Sequence, residues 1–224
     1  MSEQDEVLLK HTLTFWPHLS KTEQDYLQSH TQYNKYHAGE NIHSIDHNCL
    51  GVLIVKRGCI RAYMLSEKGK DITLYRLYPG EVCILSTSCV LQNITFDVHI
   101  DAEEDSELLV ISSSIFSKLI KDNIYVENFS YKVAADKFSD VMWTMEQILF
   151  MSFDKRLATF LLDEMTKRQS TIIPLTHEQI AKYIGSAREV VSRMLKYFSS
   201  EGLIELYRGG ITILDLSKLK KLAQ

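Results

Sequence analysis

The sequence predicts an α+β fold: an N-terminal antiparallel double-stranded β-roll, a long helix and a C-terminal winged helix-turn-helix. Three observations predict it. Apolar and polar residues alternate through much of residues 33–111, an apolar heptad follows inside a long helical pattern, and two short helices joined by a glycine turn precede a hairpin. We therefore expect three segments, residues 1–122, 123–151 and 152–224.

The composition is that of an ordinary globular protein, since 45% of the 224 residues are hydrophobic and 24% are charged. The longest apolar run, residues 50–55, is far shorter than the roughly 20 residues that a membrane-spanning helix needs. The segment formed by the first six residues is acidic overall and does not resemble a secretory signal. We therefore expect a soluble, cytoplasmic chain with no membrane partner, whose four cysteines are thiols.

The N-terminal segment begins with helical signals and continues with strands. Ser20 and Glu23 form the pattern of a capping box, which predicts a helix from Lys21 to His30. Period-two stretches separated by Gly-containing turns then predict an antiparallel roll with no helix of ten residues or more inside it. The expected strands include residues 53–55, 59–63, 72–77, 96–100 and 108–111.

A long helix is predicted over residues 123–151, and it has two apolar faces. One face would pack on its own domain through Val126, Phe129, Val133, Met142 and Leu149. The other has the 3, 4, 3, 4, 3 spacing of a two-helix coiled coil and predicts a homodimer. Its members, the expected dimer seam, are Tyr131, Ala134, Phe138, Val141, Met145 and Ile148.

The C-terminal segment has the pattern of a winged helix-turn-helix. A helix over residues 153–167 comes first, and Thr176 with Gln179 then predicts a capped helix that ends at Gly185. Ser186 is the expected cap of the next helix, over residues 187–200. The stretch 203–214 predicts a hairpin with a basic, Gly-rich tip, which would be the wing.

The charge distribution points to double-stranded DNA as the partner of this segment. Residues 153–224 hold 12 Lys and Arg against 8 Asp and Glu, a charge of +4, whereas residues 1–152 carry −8. In the second helix of the motif, Arg188, Glu189, Ser192 and Arg193 share one face and suit contacts with base edges. The candidate contacts with the DNA backbone are Thr176, His177 and Arg208. The alternative is a ligand-binding sensory or scaffold protein whose C-terminal module contacts protein.

Several motifs together resemble the Crp–Fnr family of bacterial transcription regulators. They are Tyr-His-Ala-Gly-Glu at 36–40, Val-Lys-Arg-Gly at 55–58, Tyr-Pro-Gly-Glu at 78–81 and the helix-turn-helix pattern over 175–198. The resemblance implies a cyclic-nucleotide-binding-like roll and a homodimer on a palindromic operator. It also implies DNA binding modulated by a signal at the roll, with RNA polymerase as a further candidate partner. It further implies a GA step in each half-site, recognised by Glu189 and Arg193.

The effector stays open, and so does any cofactor. Family members that bind cyclic AMP carry an Arg-Ser pair for its phosphate, whereas residues 83–96 here contain neither Arg nor Gly. The oxygen-sensing branch uses an N-terminal cysteine cluster for iron and sulfur, but the first 48 residues contain no cysteine. A haem, a thiol switch or an apolar ligand therefore competes with a purely structural role for the cysteines. The candidate effector region is Cys83, Ser86, Thr87 and Cys89. The sequence contains no His-x-His pair, which argues against a metal site and an enzyme of the cupin type.

Overall fold

The structure is a computed structural model that describes residues 2–44, 50–67, 69–84 and 98–224. The chain forms two compact units. One comprises Met1–Lys68 with Leu74–Val141, and the other comprises Gly69–Thr73 with Met142–Gln224. None of the described helices has the length and apolar character that crossing a bilayer requires.

Two four-stranded sheets form the β-roll, which confirms the predicted fold class. The strands are β1 Thr31–Tyr36, β2 Asn41–His43, β3 Val52–Arg57, β4 Ile60–Leu65, β5 Asp71–Leu77, β6 Val82–Cys83, β7 His99–Ala102 and β8 Ser106–Ile111. The strand orders of the two sheets are β1-β8-β3-β6 and β2-β7-β4-β5, and the registered pairs are antiparallel. Inward-facing apolar residues of both sheets pack into one core, as the period-two pattern predicted.

Helices cover the other face of the first sheet. They are α1 Glu3–Thr12, a short 3-10 helix Trp16–His18, α2 Lys21–His30, α3 Ser113–Asp122 and the start of α4 Ile124–Phe150. Their apolar residues form a second core with Val52, Ile54, Leu109 and Ile111. The bounds of α2 and its capping box are those that the sequence predicts.

An ion pair joins α1 to the roll. The Lys56 ammonium, on β3, donates to the Asp5 carboxylate at 2.7 Å, and Asp5 is 4% exposed. Burial alone would raise the pKa of Asp5, but the hydrogen bonds from Lys56 and Ser2 outweigh it and bring the pKa to about 2. Because the Asp5 carboxylate is both buried and charged, the folded state relies on Lys56 to compensate the cost of burying that charge.

The α4 helix contacts its own unit with residues that the sequence assigned to two different faces. Val126 and Phe129 are buried as expected. Ala134, however, packs against the helix-covered core, and Val141 packs against the core between the sheets. These two members of the expected dimer seam therefore lie against their own chain.

A different apolar stripe on α4 faces outward. Of the side chains that were expected to pack inward, Met142 is 45% exposed and Leu149 is 64% exposed. Together with exposed members of the expected seam they form a row with the spacing 4, 3, 4, 3, 4, which is again a heptad pattern. This row, the outer stripe, consists of Tyr131, Ala135, Phe138, Met142, Met145 and Leu149.

The second unit is a winged helix-turn-helix, as predicted. Its elements are α5 Phe153–Arg168, β9 Ile172–Ile173, α6 His177–Tyr183, α7 Arg188–Ser200, β10 Ile204–Tyr207, β11 Gly210–Ile213 and α8 Leu216–Ala223. The three-stranded sheet has the order β10-β11-β9, and one apolar core joins this sheet to the helices around it. The short strand β9 and the final helix α8 were not predicted from the sequence.

Candidate nucleic-acid interface

The first helix of the motif, α6, is fixed at its start by the predicted capping box. The Gln179 backbone N–H donates to Thr176 Oγ1 at 3.2 Å, and the Thr176 backbone N–H donates to Gln179 Oε1 at 2.9 Å. Ile180 and Ala181 are buried behind it. The cap therefore holds Thr176 and His177 at the exposed beginning of the helix.

The turn after α6 corrects one expectation. Gly185 adopts φ +61°, and the Ser186 backbone N–H donates to the Ala181 carbonyl at 2.9 Å, the bond of a Schellman motif. The backbone of Ser186 thus closes α6, and the N-cap of α7 is Ala187, with no side-chain hydrogen bond. The prediction that Ser186 caps the second helix was wrong, because the αL turn places the start of α7 one residue later.

The α7 helix has one buried face and one exposed, charged face. Val191, Leu195 and Phe198 are fully buried in the core of the unit. On the remaining surface, Arg188, Glu189 and Arg193 are exposed and Ser192 is half-buried. The four candidate base contacts therefore remain accessible on an element whose orientation is fixed by its packing.

The wing is a tight hairpin. Tyr207 pairs with Gly210, and Arg208 and Gly209 form the exposed tip, with Gly209 at φ +89°. A Cβ atom on Gly210 would lie 2.1 Å from the Tyr207 hydroxyl oxygen. The absence of a side chain at Gly210 thus lets the Tyr207 ring fold across the hairpin.

A cavity of about 390 Å³ lies between the start of α6, the start of α7 and the wing. We refer to it as the wing cavity. It brings together three residues that the sequence analysis singled out, Thr176, His177 and Arg188. Glu178 and Tyr207 were not predicted as site residues, since nothing in the local sequence shows that the wing folds toward α6. The lining residues are Leu175, Thr176, His177, Glu178, Arg188, Tyr207, Gly209 and Gly210.

The electrostatic environment of His177 disfavours its protonation. Partial burial lowers the pKa of His177 first, and the positive charges of Arg188 and Lys196 lower it further. Protonation of the imidazole is therefore disfavoured beside a cavity that also contains a guanidinium group. Such an arrangement suits an anion, which would cancel the repulsion between the two side chains.

Only part of the candidate effector region lies within the described residues. Cys83 is fully buried on β6, and its Sγ lies 3.9 Å from the Tyr75 hydroxyl oxygen. Burial, and to a smaller extent the neighbouring Cys83, raises the pKa of Tyr75 well above its ordinary value. Ser86, Thr87 and Cys89 lie outside the described residues.

An α4 side chain joins this cluster. The Lys137 ammonium lies 4.9 Å from the centre of the Tyr75 ring and is bonded to Asp140. Within the described residues, no group of three or more His, Cys, Asp or Glu side chains is placed to hold a metal ion.

Two domain families match the chain. Residues 33–123 match the cyclic nucleotide-binding domain, and residues 155–222 match the Crp-like helix-turn-helix domain. The first range contains the roll, and the second contains the winged helix-turn-helix with the wing cavity.

Similar proteins of known sequence or structure share this arrangement. A Crp/Fnr-family regulator from Eubacterium rectale is 41% identical, with a TM-score of 0.91 over 96% of this chain and 99% of that chain. The cyclic AMP receptor protein of Thermus thermophilus is 24% identical, over 92% of this chain and 94% of that protein. The c-di-GMP-responsive regulator CLP of Xanthomonas campestris shares the fold, at 14% identity and a TM-score of 0.73, over 88% of this chain and 100% of that chain.

Proposed function

This chain belongs to the Crp/Fnr family of transcription regulators, and from that premise we propose that it binds a palindromic operator as a homodimer whose affinity responds to a signal at the roll. The proposal assigns sensing to residues 1–122, dimerisation to 123–151 and DNA binding to 152–224. It includes no enzymatic activity. Because operator DNA is the proposed target of this protein, we also expect it to act in the cytoplasm.

The observation that carries the proposal is the exposed face of α7. Arg188, Glu189 and Arg193 stand on an α-helix whose opposite face is locked into the core. An α-helix fits the major groove, where arginine pairs with guanine in a bidentate manner and glutamate accepts from cytosine. The exposed wing tip at Arg208 is suited to the neighbouring phosphates.

Dimerisation is supported by the outer stripe of α4. Phe138 is 65% exposed, and the other apolar members of the row are also exposed in the single chain. A continuous heptad row on a helix of 27 residues is the pattern that a parallel partner helix covers. Two copies related by a two-fold axis would then present two α7 helices to two half-sites.

The signal at the roll is proposed to be something other than cyclic AMP. Relatives of this fold are named for different nucleotides, cyclic AMP in one and c-di-GMP in another. In this chain the stretch 83–96 supplies no arginine for a phosphate. Cys83 is the described member of the candidate effector region, and it lies beside Tyr75, whose ring is in contact with Lys137. We keep RNA polymerase as the partner through which a bound dimer would act on transcription.

A binding assay tests this proposal. The full chain is titrated, at moderate salt, against a labelled duplex with two GA-containing half-sites about one helical turn apart, and against a scrambled duplex. We expect tighter binding to the palindrome, and a weaker preference in Arg193→Ala. Equal affinity for both duplexes would overturn the proposed function.

A further inference from the structure

The wing cavity has a chemical character that the proposed function does not yet explain. A half-buried imidazole and an exposed guanidinium group, those of His177 and Arg188, line the same 390 Å³ space. A phenol group is also available at its wing side, from Tyr207. These three groups donate hydrogen bonds, and two of them can carry positive charge, so the cavity suits an oxyanion.

We infer that the wing cavity receives a phosphate of the operator backbone and that His177 takes up a proton as this phosphate binds, so that operator affinity is linked to pH. This inference rests on the proposed function, because the phosphate is that of bound DNA. It adds a binding role for Tyr207 and a titrating role for His177. It also names the site at which pH acts.

The charges around His177 determine the direction of the linkage. From α7, Arg188 and Lys196 place positive charge near the imidazole, and both oppose its protonation. From α6, the Glu178 carboxylate lines the same cavity, and from the wing Tyr207 contributes a neutral phenol. The two cations and partial burial outweigh the carboxylate, so the pKa of His177 is lowered before DNA binds.

A bound phosphodiester reverses this balance. Its negative charge compensates Arg188 and favours the imidazolium form of His177, so the pKa of His177 is higher in the complex than in the free protein. A group whose pKa rises on binding takes up protons, and the affinity therefore increases as the pH falls. The affinity depends on pH between the pKa of His177 in the free protein and its pKa in the complex. Above the pKa in the complex, the affinity no longer changes with pH.

The sequence allows the linkage to be assigned to one residue. His177 is the only histidine after His99, and no cysteine follows Cys89. Histidine is the side chain whose unperturbed pKa lies nearest to neutral pH, so a proton uptake near neutrality within residues 142–224 is assigned to His177. A whole proton taken up at one site would change the affinity by about tenfold per pH unit for each subunit.

The test compares four full-length proteins, the wild type, His177→Gln, His177→Arg and His11→Gln. His11 is exposed on α1 and makes His11→Gln a matched control for loss of a histidine. Operator affinity is measured by fluorescence anisotropy at about pH 6, 7 and 8 at constant ionic strength, and circular dichroism checks that each variant is folded. Calorimetry in two buffers of different ionisation enthalpy counts the protons taken up.

We expect the wild type and His11→Gln to bind more tightly at the lower pH and to take up protons. His177→Gln should lose both effects, and His177→Arg, which carries a permanent charge, should bind tightly at each pH. If the wild type binds equally at all three pH values, or if His177→Gln keeps the same pH dependence, the inference is overturned while the proposed function stands. If the wild type prefers no operator at any pH, the proposed function itself fails.

Discussion

At the scale of single residues, the proposed DNA contacts separate into two tasks. Arg193 stands on α7, where a major-groove helix meets base edges, whereas Arg208 stands at the tip of the wing. Contacts with base edges determine which sequence is bound, and contacts with phosphates add affinity for every sequence. Replacing each arginine should therefore produce a distinguishable change in binding.

The first prediction concerns this pair. Arg193→Ala should cost about 1–3 kcal/mol per half-site and relax the preference for one guanine, because a bidentate contact is lost. Arg208→Ala should weaken binding to all sequences alike and reduce the slope of log K against log salt by about one. Anisotropy titrations on matched and mismatched duplexes at several salt concentrations measure both quantities. A change of base preference in Arg208→Ala would contradict the assignment.

The second prediction concerns the ion pair that joins α1 to β3. Lys56→Met should lower the free energy of unfolding by about 1–3 kcal/mol, because it leaves the buried Asp5 carboxylate without its charged donor, with the Ser2 backbone N–H still donating to it. Lys10→Met is the control, since Lys10 pairs with Glu6 on the exposed face of α1. Exposed pairs contribute about 0–1 kcal/mol, so the control should change stability little. Urea unfolding followed by circular dichroism measures both, and equal effects would contradict the account.

The same pair predicts a pH dependence of stability. The pKa of Asp5 is lowered to about 2 in the folded protein, so its stabilising contribution is complete above the ordinary pKa of an aspartate. The contribution should disappear as the pH falls from about 4 to about 2. Asp5→Asn should therefore unfold with a shallower dependence on pH in that window.

At the scale of elements, local signals predicted helix ends well and helix orientation poorly. The capping boxes at Ser20 and Thr176 fixed the starts of α2 and α6, because both partners of each box lie within four residues. On α4, by contrast, two apolar heptads run side by side. Which of them meets the roll depends on tertiary packing, and the spacing of apolar residues along one helix does not contain that information.

Other elements escaped the sequence analysis for similar reasons. The strand β9 is only two residues long and exists because it pairs with β11. The wing cavity depends on residues about 30 positions apart in the chain, so the contribution of Tyr207 could not be predicted locally. The exposed face of α7 was predicted, because its helical spacing places Arg188, Glu189, Ser192 and Arg193 opposite the apolar face.

The third prediction tests which stripe of α4 forms the dimer. Phe138→Glu and Met142→Glu should each give a monomer that binds operator weakly, because each places like charges against each other in a buried seam. Trp143→Glu is the control, since Trp143 is 50% exposed but lies beside the outer stripe. Size-exclusion chromatography with light scattering measures the mass.

A fourth variant separates the two stripes. Val141 packs against the core between the sheets, so Val141→Glu should lower the thermal stability of the roll. If Val141→Glu gave a stable monomer and Met142→Glu a tight dimer, the seam would be the one that the sequence first suggested. A tight dimer for Phe138→Glu would contradict both versions.

At the scale of the whole molecule, one chain carries both a sensory roll and a winged helix-turn-helix of the DNA-binding type. The roll and its covering helices are acidic overall, since residues 1–152 carry a charge of −8, whereas residues 153–224 carry +4. Because phosphate contacts dominate DNA affinity, the positive segment should hold the duplex while the negative one stays away from it. The dimer would then meet the operator through its two C-terminal units.

Selection from a random pool of duplex DNA tests this central claim most directly. The full-length chain is incubated with the pool at moderate salt, which suppresses binding that does not depend on sequence, and bound sequences are recovered and sequenced over several rounds. We expect palindromes whose half-sites each contain a GA step and whose centres lie about one helical turn, roughly 34 Å, apart. Recovered sequences without a two-fold repeat, or half-sites without the GA step, would contradict the account.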